Sequence, residues 1–174
     1  MTGLEIGIPQ EFRPLKTSRR GELYAWLFTL IVLLVLFFMP GLQERFLTVG
    51  TFLAIFFGLS AVVISLNNWM ERATVLQLSE DGIAYRNGLR NVQFIWSEIE
   101  RVEVVQRNIG RRVHVLGPQA HFAFYMQSAV KLGNRVGELT GFEQGEDILE
   151  TILQKASLTP TAESSDDVYY YARD

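Results

Sequence analysis

Three arginines crowd one short stretch of this chain. Arg107, Arg111 and Arg112 lie within RNIGRR, where residues 108–110 predict a turn between two strands. Cations gathered at a turn can touch anionic lipid headgroups, each one near the surface contributing about 1 kcal/mol. The same residues also suit a solvated surface hairpin. Arg86, Arg90, Lys131 and Arg135 add further positive positions. The two histidines, His114 and His121, fall on adjacent predicted strands. Two imidazoles without a matching Asp or Glu make an incomplete metal site, so exposed strand positions explain them better and no metal is expected. Residues 130–137, VKLGNRVG, have glycines but not the phosphate-loop spacing, and no Lys-Ser/Thr pair follows them. No dinucleotide fingerprint, His-Glu-x-x-His or nucleophile elbow occurs. The residues thus assign no catalytic group and no cofactor, and an enzyme is not expected. Charge is nearly balanced after the apolar part of the chain, without the basic stripe of nucleic-acid binding.

These positions must be held by elements of two kinds. Residues 23–42, LYAWLFTLIVLLVLFFMPGL, and 46–70, FLTVGTFLAIFFGLSAVVISLNNWM, are uncharged and apolar. A helix needs about 20 such residues to cross a hydrocarbon core, so each run is long enough. Only Gln43, Glu44 and Arg45 separate them, which predicts a helical hairpin, with Pro40 and Gly41 ending its first helix. Arg13, Lys16, Arg19 and Arg20 precede the hairpin and Arg72 follows it. The positive-inside rule then places both termini in the cytoplasm of a multi-pass protein, with Tyr24, Trp26 and Trp69 near that face. A first run this long, with no Ala-x-Ala site after it, does not read as a cleaved signal peptide. The helices carry no interior charge of the sort ion pathways use. Gly50, Ala54 and Gly58 recur every four residues and permit close packing, either within the hairpin or against a partner. Phe52, Phe56 and Phe57 are expected to face lipid or a partner. Disulfides and thiolate metal sites are excluded, because the chain has no cysteine.

From Ala73 the apolar period becomes two. Strands are predicted at 74–78, 83–86, 91–96, 100–106, 113–116 and 121–126, with a weaker one at 136–142. Asp81-Gly82 and Asn87-Gly88 mark tight turns, the first with Gly82 supplying a positive φ. Residues 146–156 form an amphipathic helix through Ile148, Leu149, Ile152 and Leu153, with acids first and Lys155 last. Trp96 is expected to plug the core with its indole N–H on a carbonyl, Ile99 packing beneath it.

The run LQLSEDGIAYRNG, then FIWSEIERVEVV with Trp96-Ser97-Glu98-Ile99, and Phe142 ahead of a closing helix, resemble the bacterial pleckstrin-homology-like domain. The resemblance implies an α+β domain over residues 71–157, antiparallel strands in a small barrel closed by a C-terminal helix. Bacterial members often follow one or two membrane helices, which implies a bacterial inner (plasma) membrane location. The eukaryotic relatives bind phosphoinositides mainly through a basic first hairpin loop. The corresponding loop here, Ser79-Glu80-Asp81-Gly82, is acidic.

The expected organisation is a cytoplasmic N-terminal tail (1–21), the hairpin (22–70), the β domain (71–157) and a disordered acidic tail (158–174) in which Tyr169-Tyr170-Tyr171 stands out. The expected partners are the bilayer and a protein partner or second copy in the membrane, with no nucleic acid. Such a chain reads as a non-enzymatic interaction or scaffold module, an accessory subunit of a larger membrane complex being one version. The alternative reading is a sensor of anionic headgroups through the arginine turn.

Overall fold

A computed structural model describes residues 9–38, 40–107, 110–132, 135–162, 165 and 167–173. The chain divides into two compact units, residues 18–70 and residues 1–17 with 71–174.

The first unit is built on two helices, α1 (Arg20–Phe38) and α2 (Pro40–Ala73). Pro40 opens α2 rather than closing α1. The first helical position needs no N–H, and proline's fixed φ is already helical there. Gln43, Glu44 and Arg45 are therefore in the first turns of α2, not in a loop. The helices run antiparallel along one seam. Asn68 Nδ2 donates to Glu22 Oε2 at 2.9 Å, Trp26 Nε1 donates to Ser65 Oγ at 2.9 Å, and Phe28 stacks on Phe57 with ring centroids 5.9 Å apart. A methyl added at Gly50 would stand 2.5 Å from Leu36 Cδ2, and one at Gly58 would meet Thr29 Cγ2 at 3.8 Å. Gly50 thus lies tight against α1 within the hairpin, and Gly58 faces it with room to spare. Phe57 belongs to that seam, whereas Phe52 and Phe56 are exposed. Two stretches, Arg20–Phe38 and Thr48–Ala73, are long and apolar enough to cross a membrane, and few of their residues are buried.

The second unit holds the strands. β1 (Gln10–Phe12), β2 (Thr74–Leu78), β3 (Gly82–Asn87) and β4 (Asn91–Ile95) make one antiparallel sheet in that order. A second sheet has the order β10 (Thr159–Pro160), β11 (Val168–Ala172), β5 (Arg101–Arg107), β6 (Gly110–Leu116), β7 (His121–Tyr125). β8 (Ser128–Leu132) and β9 (Arg135–Thr140) form a separate ribbon, and α3 (Gly145–Lys155) follows. Alternate residues of both large sheets point inward: Leu76, Leu78, Ile83, Tyr85, Val92 and Phe94 from one, Val102, Val104, Val113, Val115, Phe122 and Phe124 from the other. Ile148, Leu149 and Ile152 of α3 join the same core. Phe122 is its hub, stacked on Tyr85 at 4.9 Å with 7° between planes and lying 6.1 Å from Phe94 and 6.5 Å from Phe124.

The strands do not close into a barrel. β5 follows β4 in the chain but pairs with β6 on one side and β11 on the other. Both its edges are used, so no ladder joins it to β4, and a 3-10 turn at Trp96–Glu98 makes the passage instead. Trp96 Nε1 donates to Glu80 O at 2.8 Å and Ile99 is fully buried. Gly82 is required for a different reason than turn conformation. Its φ is not positive, but an added Cβ would strike the Phe94 carbonyl of the neighbouring strand.

Both presumed tails are partly folded. Gln10 and Phe12 pair with Leu78 and Leu76, and Leu15 N donates to Gly141 O at 2.8 Å. At the other end, Val168–Ala172 pairs in register with Arg101–Val105. Glu163, Asp166 and Asp167 fall in the sequence before this strand, while VYYYA itself is aromatic and β-branched, a composition suited to a pleated surface. Arg173 then fastens the strand. Its Nη1 donates to Ser97 O at 3.1 Å, and its Nη2 donates to Trp96 O at 3.3 Å and Ala156 O at 3.2 Å.

Candidate functional site

Strands β5 and β6 position the arginine turn. Residues 108 and 109 at its tip, and the side chain of Arg107, lie outside the described residues; the Arg107 backbone pairs with Gly110, whose φ is 115°. Arg111 and Arg112 alternate across the sheet and meet different partners. Arg111 forms an ion pair with Glu146 in the first turn of α3. Both groups are well exposed, so the pair contributes about 0–1 kcal/mol. Arg112 faces Tyr125 across the β6–β7 ladder and lays its guanidinium over that ring, 5.2 Å from the centroid. Its Nε is buried and has no hydrogen-bond partner among the described residues. Both described arginines of the turn are thus engaged within the domain.

Elsewhere the cationic positions spread out. Arg86 and Arg90 are exposed at the end of β3 and the start of β4. Lys131 and Arg135 occupy β8 and β9, with side chains outside the described residues. His114 stands opposite Ala123 and His121 opposite Leu116, so the two rings are diagonal neighbours with roughly 7–8 Å between their strand positions. No three side chains able to hold a metal lie together among the described residues.

Glu11 and Tyr85, outside the long helices, have perturbed pKa values. Burial raises the Tyr85 phenol above its ordinary value, opposed by hydrogen bonds with Asn87 and Thr74 and by the Arg90 and Arg112 charges. Tyr85 therefore has a cation of the β3–β4 turn and one of β6 near its hydroxyl. The hydrogen bond from Arg13 Nε, 2.7 Å long, holds the exposed Glu11 carboxyl below its usual value, with Gln77 adding to it.

Three surfaces escaped the sequence reading. β4 ends the first sheet, and no strand lies beyond it among the described residues. Its exposed positions are Asn91, Gln93 and Ile95, the last 50 % exposed. The apolar-polar alternation is readable in the sequence, but an edge and a central strand alternate alike. A shallow groove of about 420 Å³ is lined by Glu146, Leu149, Glu150, Leu153, Gln154 and Leu158 on α3 and the residues after it. The third is the β3–β4 turn. Asn87 Oδ1 accepts from Leu89 N at 3.3 Å and Arg90 N at 2.9 Å, Asn87 N donates to Arg90 O, and Gly88 takes a φ of 81°. This bonding holds Leu89 outward, 64 % exposed.

No protein-family model, curated protein or solved structure matches this chain.

Proposed function

We propose that this chain is a membrane-anchored, non-enzymatic interaction module of the bacterial inner membrane. Its helical hairpin is the anchor, its pleckstrin-homology-like β unit docks a protein partner, and an accessory role in a larger membrane complex follows from that arrangement. The observation that carries the reading is the pairing of β1 with β2. β1 precedes α1 and β2 follows α2, so the flanks of the hairpin are hydrogen-bonded neighbours. Paired strands occupy one side of a bilayer, which supports an even number of crossings. The basic residues before α1 favour the cytoplasm for that side. The exposed apolar surface of both helices supports lipid as their solvent, since water-soluble monomers rarely leave patches of such size open.

Docking is assigned to the β4 edge. An open edge offers main-chain donors and acceptors to an added strand, and its alternate side chains give specificity. Anchoring confines both partners to one plane and raises their effective concentration. A photo-crosslinking residue at Gln93, in the full-length chain in native membranes, is expected to give a discrete adduct identifiable by mass spectrometry. The same crosslinker at Glu150 is expected to give none. Identical adducts from both positions, or none from Gln93, would overturn edge docking. Maleimide labelling of single introduced cysteines before α1 and after α2 tests the topology, and opposite-side labelling refutes it.

A further inference from the structure

We propose that the β3–β4 turn is a second membrane contact, in which Leu89 enters the interfacial layer and Arg86 and Arg90 meet anionic lipid headgroups. The proposal rests on the membrane reading of the hairpin. A single exposed leucine is ordinary on a protein surface, so its surroundings must carry the inference. Outside the two long helices, the large apolar side chains most exposed among the described residues are Leu89 at 64 %, Ile95 at 50 % and Tyr169 at 46 %. Leu89 is the most exposed of them, and its turn is held by three hydrogen bonds through Asn87 and Arg90 rather than by packing of the leucine.

Position supplies the second argument. Helix α2 ends at Ala73 and β2 begins at Thr74, with no linker between them. Thr74 pairs with Asn87, the residue that opens the turn. Cross-strand neighbours are about 5 Å apart, and two further residues reach at most ~7 Å, so Leu89 lies within roughly 12 Å of the last turn of α2. A helix that leaves the hydrocarbon near Trp69 ends at the headgroups, a layer roughly 5–8 Å thick on each side. The junction at Ala73 and Thr74 thereby keeps the turn within reach of the headgroups, where an apolar side chain beside arginines is favoured.

Charge supplies the third. Arg86 and Arg90 flank the leucine, both exposed. Arg86 precedes the tip, paired with Asn91 in the ladder and with its charge also reaching the Glu11 carboxyl, whereas Arg90 follows the tip and acts with Arg112 on the Tyr85 hydroxyl. Neither is joined to a carboxylate in a described salt bridge. Each is expected to shift the ratio of docked to undocked turn about fivefold on an anionic surface, the equivalent of about 1 kcal/mol.

The absence of native cysteine makes the test direct. The full-length chain carrying Asn91→Cys, labelled with an environment-sensitive fluorophore, is placed in nanodiscs containing headgroup-proximal quencher lipids, either neutral or with added phosphatidylglycerol. Quenching that is stronger with phosphatidylglycerol, and that weakens in Leu89→Asp and in Arg86→Gln/Arg90→Gln, supports the contact. A parallel label at Leu30→Cys, midway along α1, is read in nanodiscs whose quencher is carried in the acyl chains and reports the hairpin. Quenching at Leu30 without quenching at Asn91 overturns this proposal alone. An unquenched Leu30 label overturns the hairpin reading and the proposal with it. Quenching at Asn91 that ignores both variants overturns the assignment to these side chains.

Discussion

Replacing Arg173 by alanine is expected to release the C-terminal strand while leaving the rest of the β unit folded. The guanidinium donates to three carbonyls: Trp96 O, which also accepts from Ile99 N, and Ser97 O of the 3-10 turn, and Ala156 O at the C-cap of α3. The Ser97 bond is exposed and is discounted for solvent. The two part-buried bonds carry a charged donor, and after the entropy of fixing a long side chain they contribute about 1–1.5 kcal/mol each. The loss is thus about 2–3 kcal/mol, which converts to roughly 30- to 150-fold in an opening equilibrium. Hydrogen exchange read by mass spectrometry on the full-length chain in nanodiscs measures this ratio. Amides of Tyr169–Ala172 and their partners on the outer edge of β5 should exchange faster by that factor, while β6, β7 and α3 keep their protection. Arg173→Lys retains the charge but not the fork, and should fall between the two. Protection of β11 unchanged within about threefold would refute the reasoning, as would equal loss across α3 and β7, which would mean global rather than local opening.

Gly82→Ala forces a methyl into the Phe94 carbonyl, a backbone atom that cannot rotate away; chemical denaturation followed by Trp96 fluorescence should show a loss of about 1–3 kcal/mol. Phe122→Ala removes the ring that Tyr85, Phe94 and Phe124 share and should cost about 3–5 kcal/mol in the same assay. The Tyr85 pKa is raised in the fold, so the stability tied to its neutral phenol is complete below pH 10.0 and falls as pH climbs through the raised value. Tyr85→Phe should flatten that alkaline loss, and an unchanged alkaline slope would count against it. For Glu11 the sign is opposite: its lowered pKa favours β1 docking above pH 4.5 and loses that help as pH falls, a dependence that Glu11→Gln should erase from exchange at Gln10–Phe12.

What could be read from residue order alone was whatever depends on near neighbours. The apolar runs, the alternating strands β2 to β7, the amphipathic face of α3 and the indole bond of Trp96 all follow from local period or local chemistry. Pro40 misled because proline suits the first turn of a helix as well as the residue after the last. The sequence around Gly133 concealed β8, the antiparallel partner of the weaker strand expected at 136–142 and found as β9. The C-terminal segment was averaged into disorder, although its acids and its aromatics occupy separate stretches. Sheet closure and the state of the arginine turn were out of reach. Whether β5 joins β4 depends on a strand more than sixty residues later, and Arg111 is paired by Glu146 from another element. Long-range competition for an edge or a charge leaves no periodic trace.

The adjacency of β1 and β2 also dictates an order of events during synthesis. The segment that becomes β1 emerges first yet has no neighbour to accept it until both long helices and then β2 have been made. Its partner arrives only when the hairpin has folded back, since antiparallel helices bring their outer ends within roughly 10 Å of each other. On the proposed membrane reading, completion of the first sheet therefore depends on the return of the second helix. On that reading, a chain whose second helix failed to return would keep β1 and β2 on opposite sides and leave the first sheet without its β1 strand.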